Sequence, residues 1–262
     1  MKYLIIGGGS MAVYSFMGVL CKLHDSGSLD DLEEISGASA GCLAAVAFGI
    51  GRSDINLMMT NVFDIDVAKC TTINIINFVK KFGFIKHDTF KIIISRLFQE
   101  YFEVSELTFK EYYERTKIKL HIAAFSVHKR TTQYFSYYST PDFSVIDAMC
   151  MSISVPILMP PYKGYLDGSI IEEIPYIPFI DKNIEDVACI KYMYPNTKFE
   201  NTKSISSYIQ WILGLFFVIR SKCPISYRTY YAHTKPDANM FNFKLTHFDK
   251  MQLYSYGYLL SS

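Results

Sequence analysis

Apolar and polar positions along this chain fall into two patterns. Short unbroken apolar runs predict buried strands, and longer stretches with apolar positions at helical spacing predict helices. Residues 2–6 read as a buried strand running into Gly7-Gly8-Gly9, and residues 13–23 as a helix closed by Asp25-Ser26-Gly27. A short strand is expected over residues 32–36. A helix apolar on all faces follows over 42–48, with Gly49 as its stop. Residues 54–101 read as mainly helical; one helix begins at His87-Asp88 and carries Ile92, Ile93, Leu97 and Phe98 at helical spacing. Residues 108–116 predict a short helix, and 120–125 and 133–137 two strands joined around Lys129-Arg130. A helix over 144–154 ends at Pro156, because the residue before a proline is pushed out of the helical region. Strands at 165–166 and 187–192, a strongly apolar helix over 204–219 and a terminal helix over 249–260 complete the pattern. Strands interleaved with helices predict an α/β layered fold, a central mostly parallel sheet flanked by helices. With no repeat or linker in its 262 residues, the chain reads as a single domain.

Composition narrows the function classes. Half of the residues are hydrophobic, which marks a globular chain, and the net charge is only +1. Lys and Arg are spread along the chain, so there is no nucleic-acid footprint, which needs clustered basic charge. The six cysteines are scattered without a C-x-x-C pair; they read as reduced thiols in a cytoplasmic protein, not as disulfides or a zinc site. Residues 3–20 carry no charge, but glycines and serines interrupt them and no cleavage site stands out. A strand, loop and helix are expected there, not a signal peptide or a membrane span.

The most informative residue is Ser39, in Gly37-Ala38-Ser39-Ala40-Gly41. With a strand before it and a helix after it, G-x-S-x-G reads as a nucleophile elbow, in which Gly37 and Gly41 allow the sharp turn that exposes the serine hydroxyl. The plainer reading is a tight turn that happens to hold a serine. The loop Gly7, Gly8, Gly9, Ser10 also has two readings. It can be an oxyanion hole, backbone N–H groups at a helix start facing a developing negative charge. Alternatively, Gly7-x-Gly9-x-x-Ala12 matches a dinucleotide-binding fingerprint. That motif needs an acid at the end of the second strand, whereas Asp30, Asp31, Glu33 and Glu34 precede or start it. None of the six histidines lies in an evident catalytic loop, although His233 or His247 could complete a Ser–Asp–His order. Asp167, in Leu166-Asp167-Gly168-Ser169, sits where a short strand meets a glycine; it can be an active-site carboxylate or an ordinary turn residue.

Glycine loop, G-x-S-x-G and Asp-Gly, in that order, resemble the patatin-like phospholipase family. Phe16-Met17-Gly18-Val19-Leu20, Thr108-Phe109-Lys110-Glu111-Tyr112-Tyr113, the stretch from Ala148 to Pro156 and Met159-Pro160-Pro161 extend the resemblance over residues 2–178. It implies a Ser39–Asp167 dyad without histidine, metal or cofactor, and a phospholipid or other acyl-lipid substrate. It implies that Ser39 attacks the ester, Asp167 is general base, and N–H groups of the glycine loop hold the oxyanion. The chain departs from the family where a basic residue and a glycine are usual. Here the residues are Met11 and Ala12, or Ala12 and Val13 in the other register. The usual Asn is also missing from Ile170-Ile171-Glu172-Glu173-Ile174-Pro175. These departures keep open a lipid-binding scaffold with a weakened site, or a need for a protein activator. Trp211, Phe216 and Phe217 lie in an apolar run flanked by Lys198, Lys203, Arg220 and Lys222. They are candidate contacts with a membrane surface for a peripheral protein, the alternative being a core helix.

Overall fold

The computed structural model describes residues 1–65, 79–80, 82–193, 208, 211–212, 225–234 and 243–260. Its strands are β1 (Tyr3–Ile6), β2 (Glu34–Ala38), β3 (Lys119–Ser126), β4 (Thr131–Ser136), β5 (Tyr165–Asp167), β6 (Val187–Tyr192) and β7 (Arg228–Ala232). They form one seven-stranded sheet in the order β4-β3-β2-β1-β6-β7, with β5 pairing β3. Neighbours from β3 through β7 run parallel, and β4 and β5 run antiparallel to β3. The described helices are α1 (Val13–Asp25), α2 (Ala40–Gly51), α3 (Ile55–Asp64), α4 (His87–Phe102), α5 (Phe109–Thr116), α6 (Val145–Ser152) and α7 (His247–Leu260). The expected layered α/β fold is therefore present.

Strand alternation divides the core. Leu4, Ile6, Ile35 and Ile190 face a large cluster built with α1 and α2, where Phe16, Val19, Leu20 and Phe48 are fully buried. Ile5, Val187 and Cys189 point to the opposite face and pack with Ile174, Phe179 and Tyr227. That second layer also holds a polar pair. His121 Nε2 lies 2.7 Å from Glu34 Oε2, and Tyr138 donates to Glu34 Oε1 at 2.8 Å. Burial alone would raise the Glu34 pKa, but these hydrogen bonds outweigh it and hold the carboxyl below its ordinary value.

Local chemistry starts several helices as expected. Thr108 and Glu111 form a reciprocal capping box on α5, Ser144 caps α6 through Asp147 N–H, and Asp54 caps α3 through Leu57 N–H. Several boundaries differ from the expectation by a residue or two, and two of the differences have a visible cause. α2 runs through Gly49 to Gly51, because Gly49 is a packing site rather than a stop. A Cβ there would lie 2.0 Å from the Tyr112 hydroxyl, which donates to Val46 O. β2 starts at Glu34 and takes in Gly37 and Ala38, which continue the ladder opposite Ile122 and Ala123. β7 was not anticipated, since Arg228-Thr229-Tyr230-Tyr231-Ala232 is a half-exposed edge without apolar alternation. Cys21, Cys42, Cys150 and Cys189 are buried, and Cys70 and Cys223 lie outside the described residues.

Candidate active site

Ser39 occupies the single residue between the end of β2 and the start of α2. Its backbone has φ 52° and ψ −126°, a conformation that side-chain-bearing residues rarely adopt and that neighbours must hold in place. Ser39 N–H donates to Ser152 Oγ (2.9 Å), which itself donates to Ala123 O (2.7 Å). Gly41 lets α2 begin hard against β1, for a Cβ there would sit 2.2 Å from Ile6 O, and Gly37 packs on Cys42 in the same turn. The Ser39 side chain makes no capping bond to α2, so its hydroxyl is left for other work.

Register brings Asp167 to this serine. Ala38 pairs with Ala123 on β3, and Asp167 pairs with the next β3 residue, Ala124. Where β2 turns off at Ser39, β5 takes its place beside β3. Asp167 is fully buried and its N–H donates to Ser154 O (3.0 Å). Its Oδ1 accepts from Ser169 N–H (2.8 Å) and Ser169 Oγ (2.5 Å). Oδ2 is buried and accepts no fully formed hydrogen bond, yet the Ser39 hydroxyl is near enough to help lower the Asp167 pKa. The two groups are thus close but not locked together, as is common in a catalytic pair before substrate binds. Burial pushes the Asp167 pKa up to about 6, against the hydrogen bonds from Ser169 and Ser39. Cys42 is the neighbouring titratable group, and burial drives its thiol far up, so it is neutral.

The glycine loop lies beside this pair. Gly8 packs on Ser169 and Ser39: a Cβ would be 2.6 Å from Ser169 Oγ and 3.7 Å from Ser39 Cβ. Two of the four expected donors serve the fold, since Gly7 N–H donates to Ile190 O (3.0 Å) and Gly8 N–H to Glu173 O (3.1 Å). Gly9 and Ser10 N–H, at the start of the 3-10 turn Ser10–Ala12, have no acceptor among the described residues. The same geometry disfavours a dinucleotide site, because β2 ends at the serine elbow and not at an acid. Met11, where the family resemblance expects a basic residue, lines a cavity instead.

That cavity, about 190 Å³, opens on Ser39 and Ser10 and is walled by α1, α2, α3 and α4. Met17, Leu43, Val62, Ile94 and Leu97 are typical of its lining, and its polar members are Ser10, Tyr14, Ser39 and Lys86. Among the described residues no histidine hydrogen-bonds Ser39 or Asp167. His87, at the start of α4, bonds Ser154 Oγ (2.9 Å), and burial lowers its pKa to about 4. No group of three His, Cys, Asp or Glu that could hold a metal ion occurs among the described residues. Trp211 is half-buried and stacks on Tyr208 at 6.2 Å, while Phe216 and Phe217 lie outside the described residues. No described helix is long and apolar enough to cross a membrane. Ser152, Ser154 and Ser169 are the supporting residues that sequence reasoning did not single out. The first two sit in the stretch ending at Pro156, and Ser169 directly follows Asp167-Gly168.

An uncharacterised protein of Acanthamoeba polyphaga mimivirus is 25% identical over 236 residues, covering 86% of this chain and 78% of that protein. A probable lipid hydrolase of Invertebrate iridescent virus 6 is 25% identical over 188 residues, 66% of this chain and 61% of that protein. The fold is similar to that of VipD from Legionella pneumophila, with a TM-score of 0.64 at 16% identity over 97% of this chain and 66% of that one. The chain therefore spans less than two thirds of the iridescent-virus protein and of VipD. The patatin-like phospholipase family matches residues 4–180, well over half of the sequence. The chain belongs to the patatin-like phospholipase family.

Proposed function

We propose that this protein hydrolyses acyl esters of lipids, phospholipids foremost, with Ser39 as nucleophile and Asp167 as general base. The observation that carries the reading is the pairing on β3: adjacent residues Ala123 and Ala124 hold the elbow and the carboxylate side by side, and Ser39 lines an apolar cavity. Ser39 Oγ attacks the ester carbonyl while Asp167 Oδ2 takes its proton. Gly9 and Ser10 N–H face the oxygen as it becomes negative; one such donor is worth roughly 3 kcal/mol. Collapse of the tetrahedral intermediate breaks the bond to the alcohol, which leaves with the proton from Asp167, and an acyl ester of Ser39 remains. Asp167 then draws a proton from water, which attacks this ester; collapse breaks the bond to Ser39 Oγ, which takes the proton back from Asp167 as the fatty acid is released. The cavity takes the acyl chain, since apart from Ser10, Tyr14, Ser39 and Lys86 its lining is apolar.

The competing scaffold reading draws on Met11 and Ala12 replacing the usual basic residue and glycine. The donors needed here are backbone N–H groups, so the side-chain change leaves them in place. The test is fatty-acid release from phospholipid vesicles by the wild type, Ser39→Ala and Asp167→Asn. Release by the wild type alone supports the reading; equal release by all three contradicts it.

A further inference from the structure

We propose that Val79, Lys80 and residues 82–86 form the surface on which this protein docks to an anionic lipid bilayer, Phe82 entering the interface and Lys80 and Lys86 meeting headgroup phosphates. The proposal rests on the lipid-hydrolase reading above and names how that site meets its substrate. Val79 and Phe82 are 71% and 74% exposed, and Lys80 and Lys86 are exposed beside them. Phe82 also has φ 62°, a left-handed conformation that is rare for a bulky side chain. Its side chain is largely exposed and its ring makes no aromatic or cation contact among the described residues, so little internal packing offsets that strain.

The chain directly after Phe82 is held firmly. Gly83 bridges Ile157, Phe84 N–H donates to Ile157 O (3.3 Å) and Ile85 N–H to Leu158 O (2.8 Å). Ile85, Lys86 and Leu158 are themselves lining residues of the cavity that opens on Ser39. An exposed aromatic ring therefore stands on a fixed strap at the cavity wall. A lipid leaving a bilayer at this point would have its acyl chain beside apolar walls.

The chemistry selects a bilayer as the occupant. The stretch Val-Lys-Lys-Phe-Gly-Phe-Ile-Lys holds three lysines and no acid, which suits anionic headgroups. An aromatic ring flanked by lysines matches the boundary between headgroups and acyl chains. A stable protein partner would need a much broader contact, about 800 Å² on each side, than two exposed apolar side chains supply.

The test is cosedimentation of the full chain with phosphatidylcholine vesicles, with and without phosphatidylserine, using Phe82→Asn and Lys80→Gln. Asn tolerates the left-handed backbone, so the first variant removes the ring without adding strain. The wild type is expected to bind the phosphatidylserine vesicles more tightly. Phe82→Asn should weaken that binding roughly tenfold or more, and Lys80→Gln roughly fivefold. Both should keep the wild-type melting temperature and turnover of a soluble short-chain ester. Wild-type binding by both folded variants, or no vesicle binding by the wild type, overturns the proposal. Weakened binding by the variants of a wild type that cleaves no ester leaves the docking surface standing and removes the hydrolase reading.

Discussion

Asp167 brings a carboxylate into a place with no solvent contact, and the consequence is measurable in pH. With its pKa near 6, kcat/KM should rise through an apparent pKa of about 6 and level off above it, as the base becomes ionised. Ser169 stabilises the ionised form through Oδ1, so Ser169→Ala should move this limb upward by roughly one pH unit. A variant whose limb stays in place would show that Asp167 is not the titrating base. The same group sets a stability cost. Its folded pKa lies above the ordinary value of 3.8, so the folded state holds the proton more tightly than the unfolded chain. This contribution is fully present below pH 4 and is lost as pH rises through about 6, a difference of about 3 kcal/mol. Asp167→Asn, which keeps an acceptor for Ser169, is therefore expected to abolish turnover while raising the melting temperature at pH 7. A thermal melt showing a lower value would contradict the burial argument. Ser39 stood out as a candidate because it lies in a short local motif, whereas Asp167, ambiguous by itself, stood out through the order of glycine loop, G-x-S-x-G and Asp-Gly. Ser152, Ser154 and Ser169 were not, because their roles depend on which carbonyl or carboxylate the β3 register sets opposite them.

Elements supply the frame that makes those residues meet. Ser152, on α6, joins the elbow to β3 by one hydroxyl. Ser152→Ala would leave the Ser39 N–H buried without its acceptor, at a cost of about 1–3 kcal/mol, and should reduce turnover along with stability. Lys250 of α7 performs a similar task at the cavity wall. It is buried, and its Nζ donates to Phe63 O (2.7 Å) and Ile65 O (2.6 Å) at the C-terminal end of α3, where Val62 and Ile65 line the cavity. A cation on the orphan carbonyls of a helix end is favourable. Lys250→Met should lower the unfolding free energy by about 1–3 kcal/mol, measured by urea titration; an unchanged midpoint would show that α3 needs no such clamp. Apolar runs and helical spacing made β1, β6, α5 and α6 readable. Gly49 was misread as a stop because its neighbour across the fold, Tyr112, is far away in sequence. β7 was missed because an edge strand lacks the apolar alternation that marks a half-buried one.

Across the whole molecule, the parallel strands end on one side of the sheet, and the elbow, the glycine loop and the cavity gather at that side. The order of motifs in the sequence was enough to suggest this arrangement, but the cavity was not legible, since its walls come from helices spread from α1 to α4. Leu97→Trp, a substitution on the α4 wall, should suppress turnover of long-chain esters while sparing acetate esters. Equal loss for both chain lengths would mean the cavity does not hold the acyl group. The most direct test of the central claim is labelling with a serine-reactive fluorophosphonate, read by intact mass and peptide mapping. The account predicts a single adduct on Ser39 that is absent in Ser39→Ala and strongly slowed in Asp167→Asn. A folded protein that takes no label, or takes it on another residue, would contradict it.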